Sequence, residues 1–343
     1  MQRHQLSING IKRLVIDSAG LDQFLSRLDM LLTHVDINHI YSDGDTILHM
    51  LCKSNNLNVF NMTKEVLQRD ISMGFSTHGY TPSICITNTA GYTPLGCAIQ
   101  HKSFGICKIL LDTGANPNSV DPEGRTPLHY AQVLSEHSVD FMELLLRYEA
   151  MPGAIYIGGN TILHHAIIGP GLTPDQKLVS PGLNVLQGQM ASEPDTSFHL
   201  ICPNEKQVEL LLEGKADISA VNFTDATPLH IAARSNNSGV VTRIVDQCYN
   251  EVQATALVNM RNTMGGSPLH NACREGIPEV VKSLINFGSM INATALNGDT
   301  PLHQAVFHNK TDNITILIEH GADITIQNNK KFTASSQKML PAT

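Results

Sequence analysis

Along this chain, polar turns carrying glycine alternate with two kinds of apolar segment. The longer kind has aliphatic residues at helical spacing, as in ICKILLDTGAN, FMELLLRYEA, KQVELLLEGKAD, VVKSLINFGSMIN and ITILIEHGAD. Such a stripe predicts a helix with one buried face. The shorter kind opens on Thr or Ser, continues through Pro or Ile, Leu and His, and runs into small residues, as in HIAA (His230 to Ala233) and HNAC (His270 to Cys273). A Thr hydroxyl accepts a hydrogen bond from an unpaired amide of the first helical turn, and Pro at the next position is pre-set for helical φ. The pattern therefore predicts a turn, a short helix and a longer helix, over and over. Gly114, Gly288 and Gly321 fall where the chain leaves the longer helix through a left-handed conformation. Glu149 and Lys215 hold that place elsewhere, each at a cost of ~1 kcal/mol.

The period is regular. The short motif reads TILH from Thr46, TPLG from Thr93, TPLH from Thr126, TILH from Thr161, TPLH from Thr227, SPLH from Ser267 and TPLH from Thr300, with a weaker TSFH from Thr196. Its third positions are 33 residues apart from 95 to 128, 35 from 128 to 163, 66 from 163 to 229 and 33 from 269 to 302. The turns before it are SDGD, NTAG, DPEG, IGGN, MGGS and LNGD. Repeats of this length argue for units that bury their apolar faces only against neighbours.

These motifs resemble the ankyrin repeat, over roughly residues 40 to 325. The resemblance implies an all-α ankyrin-repeat solenoid of about seven to eight stacked helix-turn-helix repeats joined by β-turns. Residues 1–40, with the amphipathic stretch 21–38 (Leu21, Phe24, Leu25, Leu28, Leu31, Leu32), read as an N-terminal capping region, 41–325 as the array, and 326–343 as a polar tail.

Three intervals break the rhythm. From 48 to 95 there are 47 residues, with extra length around Met73 to Ile86; from 229 to 269 there are 40, which implies a longer second helix or loop near Cys248 to Asn259. The widest irregularity, about 166–204, contains GPGLTP and SPG, which interrupt helices. Either a degenerate repeat begins at Thr196, or one long loop joins Ile168 to Glu205. The doubled period favours the degenerate repeat.

Composition narrows the function. The 42% hydrophobic and 16% charged content supports a continuous core, and with 5% aromatic residues and no Trp that core is aliphatic. A net charge of −8 without a basic cluster argues against nucleic acid. No apolar run reaches the length of a membrane span, and the N-terminal apolar segment is too short for a secretory signal. The seven cysteines (Cys52, Cys85, Cys97, Cys107, Cys202, Cys248, Cys273) are dispersed and never in C-x-x-C pairs, which points to reduced, buried thiols in the cytoplasm and to no zinc site.

Six of the sixteen histidines (His49, His129, His164, His230, His270, His303) occupy the fourth motif position, where a ring can tie adjacent turns together. Structure, not metal or acid–base chemistry, accounts for them. No P-loop, G-x-S-x-G, H-E-x-x-H or dinucleotide fingerprint occurs. A thiol–imidazole pair such as Cys97 with His129 or His101 is not singled out, and no cofactor is implied.

By the resemblance, turn tips and first-helix edges line a partner-binding face. The register puts Ser42, Tyr92, Glu123, Arg125 and Asn160 on turns, followed by Phe223, Met264, Asn297 and Asp299. Gln100, His101, Arg234 and Ser235 fall on the helix edge, as do Arg274, Glu275, Phe307 and His308, with Tyr130 nearby. Phe223, Met264 and Phe307 are apolar where solvent favours polar residues, and such side chains are frequent interface anchors. The resemblance also implies candidate asparagine hydroxylation eight residues after a Leu: Asn292 after Leu284, and Asn118 after Leu110.

The sequence therefore reads as a monomeric protein-interaction scaffold, not an enzyme. Divergent repeats, Asn- and Ile-rich composition and the lack of Trp suit a bacterial effector delivered into the host cytosol. The competing reading is an enzyme or regulatory fragment with chemistry in 166–204 or beyond residue 343.

Overall fold

The structure, a computed structural model, describes residues 38–41, 43–53, 60–61, 63–68, 82–134, 136–155, 157–168, 204–235 and 237–337. Nearly all of the expected N-terminal cap, the TSFH motif at Thr196 and most of the extra length after Met73 lie outside these residues, as does Ser42. Two compact units divide the chain between Met151 and Pro152.

The first unit holds α1 (Ile47–Cys52), α2 (Pro94–Gln100), α3 (Phe104–Asp112), α4 (Pro127–Gln132) and α5 (Ser138–Arg147). The short helices α1, α2 and α4 stack in order, with α3 packed on α2 and α5 on α4. The second unit holds α6 (Ile162–Ile168), α7 (Glu205–Glu213), α8 (Pro228–Ala232), α9 (Ser238–Val245), α10 (Glu251–Val258), α11 (Pro268–Glu275), α12 (Pro278–Asn286), α13 (Pro301–Phe307), α14 (Thr311–Glu319) and α15 (Ala334–Gln337). Here α6, α8, α11, α13 and α15 stack as one layer and α7, α9, α12 and α14 as the other. Among the described residues the only β-pairing is two isolated bridges, Ile155 with Thr161 and Gln327 with Thr333. Among the described residues, each unit is an all-α stack of helical hairpins.

The motif builds each first helix as its residue types dictate. Thr93, Thr227 and Thr300 each accept a hydrogen bond from the amide three residues on. Leu48, Leu95, Leu128, Leu163, Leu229, Leu269 and Leu302 are all buried at the third position. Buried alanines follow at Ala98, Ala131, Ala166, Ala232, Ala272 and Ala305, small enough for neighbouring first helices to approach.

Histidine closes the cap from the other side. In His49, His164, His230, His270 and His303, Nδ1 accepts from the Thr or Ser backbone N–H at 3.1–3.2 Å and lies 2.8–2.9 Å from its hydroxyl. Nε2 of each donates to a carbonyl of the next repeat's turn: Tyr92, Ala226, Gly266, Asp299 and Phe332. An amide can only donate and a carbonyl can only accept, so these rings are neutral with the proton on Nε2. Burial pushes His164, His230 and His270 down to about 4, and lowers His49 too.

The doubled interval runs between described helices that are neighbours. First helices α6 and α8 are direct neighbours, and α7 packs on α6 as its second helix. The Asn204 N–H donates to the Ala166 carbonyl at 3.1 Å, as Ser103 does to Ala98 and Lys310 to Ala305. Those pairs are five residues apart, whereas Ala166 and Asn204 are 38 apart, a surplus of 33. Residues 169–203, among them the degenerate repeat expected from Thr196, lie outside the described residues; the described helices on either side of them, α6 and α7, pack as one hairpin.

The 40-residue interval resolves as an additional helix, α10, packed on α9. Residues 327–337 are more than a tail: Asn328–Phe332 forms another turn, and α15 caps the first-helix layer by packing on α13. Glu149 and Lys215 do adopt the left-handed conformation, with φ of 63° and 59°.

Candidate functional site

Successive turns in the second unit are joined by their own backbone. The Phe223 N–H donates to the Gly158 carbonyl, Thr263 to Thr224, Leu296 to Met264 and Asn329 to Asn297, all at 2.9–3.0 Å. Within a turn, Asn222, Asn262 and Asn328 each accept two backbone N–H bonds through the side-chain oxygen. Asn222 Nδ2 reaches back to Asn160 Oδ1 at 3.0 Å, and Asn328 Nδ2 to Asp299 Oδ1 at 2.8 Å. The first unit shows the same bond from Asn88 to Asp45 and from Thr89 N–H to the Asp43 carbonyl. Fixed backbones hold the side chains of these turns in place.

Close approach explains two glycines. A Cβ on Gly159 would lie 2.6 Å from the Phe223 ring, and one on Gly298 would lie 2.6 Å from the Asn329 nitrogen. Both have φ near +75° to +80°, so only glycine lets the turns come this near.

On this frame Phe223 is 73% exposed, Met264 60% and Phe307 62%. Leu296, at 69%, joins them and is not among the residues expected from the sequence. It stands four positions before its motif Thr, as Phe223 does, so the register itself is the signal that finds it. Asn297 is exposed, and its Nδ2 donates to Asp299.

Several expected binding residues turn inward instead. Asp299 is 5% exposed; its carboxylate accepts from Asn328, Asn297 and Gln304, so it links turns and is not a contact residue. Asn160 does the same through Asn222. Tyr130 is 8% exposed, with its hydroxyl donating to Asp121. Arg125 binds Asp121 through Nε at 2.6 Å and Glu123 through a terminal nitrogen at 3.0 Å, and lies over the Tyr130 ring. Tyr92 packs edge-on against Tyr130 at 5.4 Å. Burial works to raise the Asp121 pKa, but bonds from Tyr130 and Arg125 outweigh it and hold the carboxyl below its ordinary value. Of Tyr92, Glu123, Arg125 and Tyr130, only Glu123 is exposed.

The helix edge of the second unit is charged. Glu275 accepts from Arg234 Nε at 2.6 Å on one oxygen and from Arg274 Nε at 2.7 Å on the other. Ser235 is buried and bonds the Ala232 carbonyl, so it is not part of the surface. In the first unit, Gln100 and His101 are exposed, with His101 Nδ1 at 2.9 Å from the Cys97 carbonyl.

The two asparagines proposed for hydroxylation both bridge repeats. Asn118 donates to the Glu149 carbonyl and accepts from Met151; Asn292 donates to Gly321 and accepts from Asp323. Asn259 makes the same pair of bonds, to Gly288 and from Met290, an equivalence that the inserted α10 hides from the spacing.

Burial pushes the Cys97 thiol up to about 12 and raises Cys52, Cys107 and Cys273 as well, so none is a thiolate near neutrality. Burial lowers His129 to about 4. No described cysteine is in a disulfide, no described group of His, Cys, Asp and Glu could hold a metal, and no described helix is long and apolar enough to cross a membrane.

Comparison with known proteins agrees with this architecture. The family model described as ankyrin repeats (3 copies) matches residues 18–121, 79–154, 106–173 and 244–328. The nuclear factor NF-kappa-B p105 subunit of Gallus gallus is 27% identical over 197 residues, 56% of this chain and 19% of that protein. Rabankyrin-5 of Mus musculus is 27% identical over 246 residues, 66% of this chain and 19% of its own length. NF-kappa-B inhibitor alpha of Rattus norvegicus is 28% identical over 151 residues, 40% and 46% of the two chains. The chain thus spans less than half the length of these relatives. With the family model covering well over half of the sequence and helical hairpins stacked on hydrogen-bonded turns throughout the described residues, the chain belongs to the ankyrin-repeat family.

Proposed function

We propose that the chain is a protein-recognition scaffold whose contact surface lies on the turn tips and first-helix edge of residues 222–310. One observation carries this reading. Phe223, Met264 and Leu296 are largely exposed on consecutive turns whose backbones are hydrogen-bonded to one another, and Phe307 is exposed on the helix edge. Solvent gives no reason to keep large apolar side chains there, and a pre-fixed backbone lowers the ordering cost of binding. The expected residues Arg234, Arg274 and Asn297 belong to the same surface. Tyr92, Arg125, Tyr130 and Asp299 serve as structural partners, and Glu123 stands apart from them.

This reading is of a binder, not an enzyme, since burial holds the Cys52, Cys97, Cys107 and Cys273 thiols protonated and the motif histidines are occupied in the stack. The finer proposal, a secreted bacterial effector acting on host proteins in the host cytosol, rests on the divergent repeats and the Asn- and Ile-rich composition. Cysteines outside disulfides fit a reducing compartment. Hydroxylation of Asn292 or Asn118 is a further proposal; their paired bonds require local opening of the loop before the amide is accessible.

The test is affinity capture from cytosol with the intact chain and with a Phe223→Ala, Met264→Ala, Phe307→Ala triple variant. A partner retained by the first and lost by the second supports the surface. Equal recovery by both removes it.

A further inference from the structure

The helix edge of the second unit gathers positive charge in a chain whose net charge is −8. Arg234, in the turn after α8, and Arg274, in the adjacent α11, share the carboxylate of Glu275. Lys310, at the start of α14, donates to the Glu275 backbone carbonyl at 3.2 Å, a bond that neutralises none of its charge. Among the described residues no carboxylate lies within ion-pair distance of Lys310. Among the described residues, the one carboxylate in ion-pair contact with these cations is that of Glu275. Beside them stands the exposed Phe307 ring, 5.0 Å from the His308 ring. His308 itself feels the cluster: burial comes first in lowering its pKa, with Arg274 and Lys310 adding to the effect.

We propose that this cluster receives an acidic segment of the partner protein, with carboxylates on Arg274 and Lys310 and an apolar side chain on Phe307. The inference rests on the reading of this face as a binding surface and names the chemistry of what binds. Three features favour a short acidic segment. Arg274, which shares its carboxylate, and Lys310, which bonds only a carbonyl there, match one or two carboxylates. A nucleic acid would need a stripe of cations, and the chain's overall negative charge opposes one. Arg274 is exposed and uses only Nε and one terminal nitrogen on Glu275, so further N–H donors of its planar fork remain for a carboxylate.

The experiment selects random 16-residue peptides displayed on phage against the full chain. The best binder, made synthetically, is then titrated by fluorescence anisotropy at low and high salt. The chain is compared with an Arg274→Gln, Lys310→Gln double variant and with Lys282→Gln on the exposed side of α12, all checked for folding by circular dichroism. Glu275 keeps Arg234 in the double variant, so the fold is expected to survive. The expected result is enrichment of Asp and Glu around an apolar residue and at least about tenfold weaker binding by the double variant. Lys282→Gln should bind unchanged, and an Asn/Gln version of the peptide should bind as weakly as the acidic one does to the double variant. Peptides without acidic bias, or acidic peptides indifferent to the double variant, overturn the proposal. If such peptides still lose affinity with Phe223→Ala or Phe307→Ala, the binding surface stands and only its acidic preference falls. A folded chain that enriches nothing counts against both.

Discussion

His230 Nε2 donates to the backbone carbonyl of Gly266, 3.2 Å away and 36 residues further along the chain. The ring's other nitrogen closes the cap of its own helix through Thr227, so one side chain satisfies the start of one repeat and the turn of the next. Replacing it by alanine leaves a buried N–H and a buried carbonyl without partners. His230→Ala is expected to destabilise the second unit by about 2 kcal/mol. Urea unfolding followed by circular dichroism checks this; a loss under a few tenths of a kcal/mol would show that the tie contributes nothing.

The same rings make stability depend on pH. His129, His164, His230 and His270 have folded pKa values of about 4, below the ordinary 6.5. Above 6.5 both states are neutral and nothing changes. Below it the unfolded chain binds protons that the folded chain refuses, so stability falls between 6.5 and about 4, by up to about 1.4 kcal/mol per pH unit for each ring. Between pH 6.5 and 5 the carboxylates are still ionised, so that window reports the histidines. Urea midpoints measured across it should drop steadily; a flat profile would contradict the buried neutral rings.

Glycines with the same backbone angle should differ in cost. Gly124 has φ +81° and open space where a Cβ would stand, so Gly124→Ala is expected to cost only ~1 kcal/mol of backbone strain. Gly298 has φ +80° and the Asn329 nitrogen 2.6 Å from that position, so Gly298→Ala should cost clearly more and loosen the last turn. Lys215→Gly, which relieves a left-handed non-glycine residue, should gain up to about 1 kcal/mol. Thermal denaturation of the three variants orders them.

The Asn204 to Ala166 bond gives a fourth expectation. Replacing residues 169–203 by two residues recreates the five-residue spacing found between Ala98 and Ser103. Because α6 and α7 pack on each other, the shortened chain should keep its helical circular dichroism and its cooperative unfolding. Loss of the second unit's fold would mean that 169–203 contributes a repeat after all.

The repeats are legible because Thr, Pro, Leu and His each have one physical task at a fixed offset. Legibility ends where equal spacing conceals unequal structure. The 66 residues from 163 to 229 look like two periods, yet the first helices at their two ends, α6 and α8, are direct neighbours, which spacing does not reveal. Asp299 and Leu296 show a second limit. Both sit in the turn LNGD, where polar residues are expected outside, yet the Asp is buried by bonds from Asn328 and the Leu is exposed. Register locates a turn, but side-chain direction within it depends on the adjacent turn, which lies about 30 residues away in sequence. The histidine ties can be foreseen because their offset puts the ring at the repeat boundary whatever the neighbour's sequence.

Hydrogen exchange of the chain with and without its captured partner tests the central claim most directly. Bound partner should slow exchange in the turns 222–226, 262–266 and 295–298 and at the helix edge 307–310, leaving α12 and α14 at their free rates. Protection confined to α12 and α14, with those turns unchanged, would contradict the assignment of the binding surface.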